Sequence, residues 1–115
     1  MAIESVSDIL KDGVSAFAGA GSTTFGTATL NFGTTGADSA TILVTGLTGL
    51  TVAKHKEAFV QADDSTVDNT AKDHRLLGYW GRFTCEYVSA TTMNIHCDLL
   101  IGLAKGTFTI HYVIA

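Results

Sequence analysis

Alternation of apolar and polar residues is strictest in TTMNIHCDLLI, residues 91–101. From Met93 onward every second residue is apolar, and polar residues such as His96 stand between them. TFTIHYVI, residues 107–114, has the same period of two. Successive side chains of a β-strand point to opposite faces, so both stretches predict strands with one face in a core.

Four more stretches of strand-forming residues precede these two. They are residues 25–32, 40–45, 53–62 and 79–88. Six or seven short antiparallel strands in one chain predict an all-β fold, a small antiparallel β-sandwich or jelly-roll-like domain. If the hairpin before the last strand turns at residues 90–92, Cys85 lies opposite Cys97 and both face inward, as a disulfide or as two thiols.

Composition narrows the classes of function. The chain has 115 residues, of which 46% are hydrophobic and 16% are charged, and its net charge is −4. This apolar fraction excludes a disordered chain, and the length allows one domain. An acidic balance without a basic cluster argues against nucleic-acid binding. No apolar run reaches the roughly 18 residues of a membrane helix, and the N-terminus lacks the basic start of a secretory signal.

Residues 1–17 follow a helical period instead of a strand period. Apolar residues recur there every three or four positions, at Ile3, Val6, Leu10, Val14 and Phe17. A helix this short is marginal alone, so it needs a surface to pack on. The small residues AGAGSTT that follow predict a flexible linker. The predicted organisation is an amphipathic docking arm at 1–17, a linker at 18–24 and a β-sandwich at 25–115.

Residue types that catalyse reactions or bind metals are scattered along the chain. His96 and His111 are predicted on polar strand faces, where they would bind a metal if they met each other or symmetry-related copies; surface or subunit-contact histidines are the alternative. Residues 63–68 lack the spacing of a calcium loop, and the two cysteines fit no zinc pattern. Asp73 and His74 have no Gly-x-Ser-x-Gly nucleophile to activate. We therefore predict no catalytic residue, no cofactor and no metal site.

An aromatic cluster is the most specific binding signal in the chain. Tyr79 and Trp80 are adjacent at the predicted start of a strand, close to Arg82. Neighbouring residues of a strand face opposite ways, so the two rings cannot both lie in the core. Tyr79, Trp80 and Arg82 are therefore a candidate surface for stacking on a sugar ring or for a protein interface, with a core role for the rings as the alternative.

Several short stretches between Phe25 and Ala115 share a recognisable pattern. They are ATLNFG (28–33), ATILVTG (40–46), EAF (57–59), DN (68–69), DH (73–74) and GTFTIHYV (106–113). These residues resemble small structural proteins of tailed-bacteriophage virions, whose pattern has the form ATLDFG, VTVTG, EA, H and GTF.VRWV. Asn31 stands where that pattern has an acid, Tyr112 stands where it has tryptophan, and the arm is additional. The resemblance implies a capsid decoration or cement protein, a head fibre, or a component of the tail or baseplate, and it supplies no catalytic residues.

The leading hypothesis is a non-enzymatic bacteriophage virion structural protein of the capsid decoration, cement or head-fibre type. It is assembled in the host cytoplasm and resides in the virion. We expect it to self-associate, with a homotrimer favoured because symmetric association covers exposed strand edges. The arm is expected to dock on the major capsid protein, on another virion protein or on a neighbouring subunit. The alternative is a tail- or baseplate-associated domain that binds a receptor or a carbohydrate; neither hypothesis involves nucleic acid or a membrane.

Overall fold

A computed structural model describes residues 23–115 as a small β-sandwich with one helix. The elements are β1 (Thr24–Asn31), β2 (Ser39–Val44), β3 (Lys56–Phe59), α1 (Ala71–Trp80), β4 (Gly81–Ser89), β5 (Thr92–Leu99) and β6 (Thr107–Ile114). Two antiparallel three-stranded sheets pack together, with strand orders β1-β6-β3 and β2-β5-β4. The predicted sandwich is therefore confirmed.

The predicted arm is outside the part of the chain that the structure describes. Its five apolar positions, Ile3, Val6, Leu10, Val14 and Phe17, all precede residue 23. The sandwich itself begins one residue earlier than predicted, because Thr24 already pairs with Ile114. Among the described residues, no helix is long and apolar enough to cross a membrane.

Strand pairing is nested from the two ends of the chain inward. β1 pairs with β6, and β2 pairs with β5, while β3 and β4 lie against each other across the two sheets. The connections alternate between the two ends of the sandwich. Residues 32–38 and 99–106 lie at one end, which we call the groove end. Residues 45–55, the turn at 90–91 and Ala115 lie at the other, which we call the closed end.

The core follows the alternation of the sequence. Every second residue of β5 and of β6 is buried, beginning with Met93 and with Phe108. Leu30, Ile95 and Ile110 are completely inaccessible to solvent. Because the apolar residues of both central strands meet between the sheets, burial of their side chains supplies the main stabilisation of the sandwich.

Two leucines of a repeated Thr-Gly-Leu triplet seal the closed end. Leu47 and Leu50 are buried, and their backbone N–H groups donate to the carbonyls of Thr91 and Ala90 at 3.0 Å. The glycine before each leucine has a positive φ, 77° at residue 46 and 66° at residue 49, which glycine adopts without steric cost. The connection between β2 and β3 therefore folds back over the core.

Helix α1 includes Tyr79 and Trp80, for which the sequence predicts a strand. The Thr70 hydroxyl accepts a hydrogen bond from the Asp73 N–H at 3.2 Å, and the Asp73 carboxylate accepts one from the Thr70 N–H at 2.9 Å. This reciprocal cap begins the helix. The helix continues to Trp80, where the Gly81 N–H still donates to the Leu77 carbonyl. The prediction of a strand from residue 79 was therefore wrong, because β4 begins only at Gly81.

Side chains complete the sheet edge that β3 is too short to cover. β3 pairs with the last four residues of β6, from His111 to Ile114. Beyond it, the Asp68 carboxylate accepts from the Thr107 N–H at 3.0 Å, and the Asn69 side chain donates to the Thr107 carbonyl at 2.8 Å. The segment before α1 thus satisfies backbone groups that a longer strand would otherwise pair.

His74 continues this edge from inside the helix. It is completely buried, and its Nε2 accepts from the Thr109 N–H at 2.9 Å while its Nδ1 lies 2.9 Å from the Thr70 carbonyl. Because Nε2 accepts the Thr109 N–H, it carries no hydrogen, and Nδ1 carries the one that points to the Thr70 carbonyl. The ring of His74 therefore connects α1 to β6 through both of its nitrogens.

The predicted cysteine pairing differs from the observed register. Cys85 pairs with Ile95, and Phe83 pairs with Cys97, because the hairpin turns at residues 90–91 and an irregularity between Tyr87 and Ser89 shifts the pairing by one more residue. Both cysteines face inward as predicted, and both are free thiols. Burial raises the pKa of Cys97 to about 12 and also raises the pKa of Cys85.

Candidate functional site

His96 lies at the centre of the outer face of the β2-β5-β4 sheet. Its Nδ1 is 2.8 Å from the Thr41 hydroxyl, and its Nε2 is 2.8 Å from a carboxylate oxygen of Glu86. Glu86 also accepts from the Asn94 side chain at 3.3 Å. Hydrogen bonds from His96 and then from Asn94 lower the pKa of Glu86. Cross-strand neighbours therefore form a hydroxyl–imidazole–carboxylate chain.

A hydroxyl, an imidazole and a carboxylate follow one another in this series as they do in the catalytic triad of a hydrolase, but the surroundings differ from those of a triad. The hydrogen bonds between these side chains lie on an exposed sheet face, and the Glu86 side chain is 59% accessible. A catalytic triad needs donors for a developing oxyanion and a site that excludes water. The arrangement therefore has the character of a cross-strand polar ladder that orders the sheet surface.

His111 lies on the other sheet, so it cannot meet His96 within one chain. Its Nε2 donates to the Asp64 carboxylate at 2.7 Å, and its ring stacks on Phe59 with centroids 5.7 Å apart. Within residues 23–115, no group of three or more His, Cys, Asp or Glu residues is arranged to hold a metal ion. His96 and His111 therefore each bond to a carboxylate on the outer face of a different sheet.

An apolar groove of about 300 Å³ opens at the groove end of the sandwich. One wall is the exposed side of α1, with Leu76 and Trp80, and the other wall is the connection between β5 and β6, with Ile101 and Leu103. The buried Phe108 forms part of its floor. Leucine, isoleucine and tryptophan at the mouth of a groove are typical of an interaction site.

Exposure of the connection between β5 and β6 is the unusual feature of this end. Leu100, Ile101 and Leu103 are between 64% and 68% accessible. Backbone hydrogen bonds hold the loop at both ends, from the Leu100 N–H to the Trp80 carbonyl at 2.9 Å and between residues 104 and 37. The loop therefore presents its apolar side chains from an anchored backbone.

Polar residues border the groove at three points. Lys105, Asn69 and Asp73 are among its lining residues. The Asn69 amide is already engaged, since it donates to the Lys105 and Thr107 carbonyls. Hydrogen bonds from the Thr70 backbone and hydroxyl lower the pKa of Asp73. The side chains of Asn69 and Asp73 thus already form hydrogen bonds within the fold, and most of the groove surface left for a partner is apolar.

The predicted binding residues occupy two different surfaces. Trp80 lines the groove, and Tyr79 beside it is 77% accessible, with the two rings edge to face at 5.6 Å. Arg82 is exposed on β4, opposite Asp98, and is not a lining residue of the groove. The expectation that at least one ring is exposed is met by both, although on a helix and not on a strand.

Of the residues that line the groove, the sequence identified only Trp80 as a binding residue. It predicted Ile101 on the inward face of a strand at 91–101, which was wrong because β5 ends at Leu99 and Ile101 is exposed. Leu76 and Leu103, which also line the groove, were assigned to no surface. A signal was present in the run LLIGL at residues 99–103, where apolar residues continue without the period of two. Consecutive apolar residues cannot all face one core, so some of them had to be exposed.

No known protein family, curated protein or solved structure matches this chain. The groove holds no nucleophile paired with a base, because its polar members are an amide, a capping carboxylate and a lysine. What it offers chemically is apolar area, aromatic rings and one charge of each sign, from Lys105 and Asp73. That combination suits the binding of another polypeptide surface.

Proposed function

We propose that this chain is a non-enzymatic structural subunit of a bacteriophage particle that self-associates and assembles on other virion proteins. It is of the capsid decoration, cement or head-fibre type, and its N-terminal arm, which we propose is helical, is the docking segment. The observation that carries the proposal is the anchored, exposed apolar surface at the groove end. A monomer would gain from covering it, and a partner surface covers it by association.

Two further features support this proposal. Residues between Phe25 and Ala115 resemble small virion proteins of tailed phages, as described above. The nested pairing of first with last and second with fifth strand supports the predicted jelly-roll winding, an architecture that viral capsid domains share. Fold likeness alone does not assign function, so the groove carries more weight than the winding.

Copy number in purified particles tests the proposal. Antibodies against the full chain and quantified gels of the virions should find it as a particle component. Hundreds of copies would indicate the shell or the tail tube, and a dozen or fewer would indicate a vertex or a tail tip. Absence from particles, with abundant protein in the lysed host, would contradict a virion role.

A tail-associated domain that binds a carbohydrate or receptor is the second candidate. Tyr79 and Trp80 favour it, because both rings are accessible and aromatic faces stack on sugar rings. A glycan array with the assembled protein tests it, with Tyr79→Ala as the variant and Tyr87→Ala, an exposed tyrosine of β4, as the matched control. Binding lost in Tyr79→Ala and kept in Tyr87→Ala supports this candidate, whereas no binding by the native protein contradicts it.

A further inference from the structure

We propose that the groove between α1 and the β5–β6 connection is the receptor for the N-terminal arm of a second copy of this chain. The inference rests on the proposed self-association and deepens it by naming the two surfaces that meet. The groove is described by the structure. The occupant is residues 1–17, whose spacing predicts an amphipathic helix.

Groove and arm match in chemistry. The arm presents one apolar stripe, at Ile3, Val6, Leu10, Val14 and Phe17, with intervals of three and four residues. A stripe of this kind is what a helix lays into an apolar groove. The groove supplies aliphatic walls and Trp80, and it lacks the converging polar groups that fix a small polar ligand.

Charge favours the same pairing. The polar positions of the arm carry three acids, Glu4, Asp8 and Asp12, against one base, Lys11. Two lysines stand near the groove, since Lys105 lines it and Lys72 lies one helical turn before Leu76. The Asp73 carboxylate is the acid that lines it. Within residues 23–115 neither lysine forms an ion pair, so both are placed to attract the acids of the arm.

The linker length indicates that the arm comes from another copy. Seven Cα–Cα steps separate Phe17 from Thr24, and Thr24 stands at the closed end, away from the groove. Seven steps span at most about 25 Å when extended, and a random coil of that length spans about 15 Å on average. β1 alone is eight residues long, so running back along it takes about 24 Å before the groove is reached.

For Phe17 to lie in the groove of its own chain the linker would have to be fully stretched, which favours the groove of a neighbour. Copies then associate head to tail, with the closed end of one beside the groove end of the next. Such contacts use two different surfaces, and they close into a ring when the rotation between copies allows it. A closed ring of three agrees with the favoured trimer.

Disulfide trapping between two full-length variants tests the inference. One variant carries Leu10→Cys in the arm, and the other carries Leu103→Cys in the groove and a size tag. Equal amounts are mixed, equilibrated and oxidised, and two thiols join with loss of two electrons and two protons to the added oxidant. The native thiols interfere little because burial raises the pKa of both, that of Cys97 to about 12.

A matched control uses another exposed leucine. Leu43 lies on the outer face of the β2-β5-β4 sheet, away from the groove, and is 47% accessible. We expect the mixed disulfide to form at least about tenfold faster with Leu103→Cys than with Leu43→Cys, because docking raises the local concentration of the two thiols. Equal rates for the two partners would overturn the inference.

A double variant, Leu10→Cys with Leu103→Cys, separates the two origins of the arm. Arms from neighbours produce disulfide-linked dimers and larger species on a denaturing gel. Closure within one chain produces a compact monomer at all protein concentrations and would overturn the inference.

Light scattering on full-length Leu103→Asp supplies a second measurement that needs no new cysteine. Its mass should fall to that of a monomer, while Leu43→Asp keeps the native mass. An unchanged mass for Leu103→Asp would also overturn the inference. These experiments use purified protein alone, so they fail or succeed independently of whether the chain is found in particles.

Discussion

The two ends of the sandwich use the same kinds of residue in opposite ways. At the closed end, leucines separated by glycines fold back over the core, and Leu47 and Leu50 are buried. At the groove end, a connection of equally apolar residues leaves Leu100, Ile101 and Leu103 about two-thirds accessible. Composition therefore does not distinguish a segment that completes a core from one that offers a surface.

The difference arises from what each connection is bonded to. The closed-end connection donates backbone hydrogen bonds to the turn at residues 90–91. These bonds hold Leu47 and Leu50 against the core. The groove-end connection is bonded to the end of α1 and to Ala37, so its apolar side chains lie beside the helix. One end is stabilised by apolar burial, and the other by a helix held with polar contacts.

Truncation of a leucine at each end should give the largest contrast. Leu50→Ala is expected to cost about 2–4 kcal/mol of unfolding free energy, because it leaves a cavity at a buried position. Leu103→Ala should change the stability of the isolated subunit by less than about 0.5 kcal/mol, since its side chain is exposed. Urea denaturation below the concentration at which subunits associate measures both. Similar costs for the two variants would remove the proposed distinction between the ends.

Replacing His74 should weaken the groove end by a smaller amount. His74→Leu keeps the approximate volume but leaves the Thr109 N–H without its partner, at a cost of about 1–3 kcal/mol, while the Thr70 carbonyl keeps the backbone N–H of residue 74. His55→Leu is the matched control, because His55 is exposed and pairs only with the exposed Glu57 across 3.2 Å. Urea midpoints of the two variants provide the comparison, and an unchanged midpoint for His74→Leu would show that the edge contact contributes nothing net.

The cap of α1 should have the next largest effect. Thr70→Ala removes the hydroxyl that accepts from the Asp73 N–H, which typically costs about 1 kcal/mol. Hydrogen exchange should speed up in the first turn of α1 and leave β5 unaffected, because the loss is local. Thr34→Ala, in the exposed turn after β1, is the control with no helix to begin. Equal protection of α1 in Thr70→Ala and the native chain would contradict this role.

Acid should produce the smallest effect, again at the groove end. Hydrogen bonds from Thr70 lower the pKa of Asp73 below its ordinary value of 3.8. A carboxyl whose pKa is lower in the folded state stabilises above its unfolded pKa, and this contribution disappears as the pH falls through the folded value. As the pH is lowered, amides of α1 should therefore lose protection from hydrogen exchange below about pH 4, at a higher pH than the amides of β5 do. Asp73→Asn should remove most of this pH dependence, and an identical acid profile in both proteins would exclude Asp73 as its source.

The sequence predicts the strands of the two sheets but not the groove. Period-two patterns identified β5 and β6 and the inward direction of Met93 and Phe108, because side-chain alternation is a local property of a strand. They did not give the register of Cys85, which depends on the two-residue turn at 90–91 and on the irregularity between Tyr87 and Ser89. They also placed Trp80 on a strand, although a cap ten residues earlier sustains a helix through it.

The amino-acid sequence by itself determined the class of fold and the inner faces of β5 and β6. It also predicts an apolar stripe for residues 1–17, which lie outside the described residues, since periodicity requires no knowledge of distant neighbours. Tertiary structure alone decided that His74 accepts a hydrogen bond from the backbone of β6 and that Leu50 is buried while Leu103 is exposed. The physical reason is that burial and edge pairing depend on which segments meet across the sandwich, and those partners are tens of residues apart in the chain.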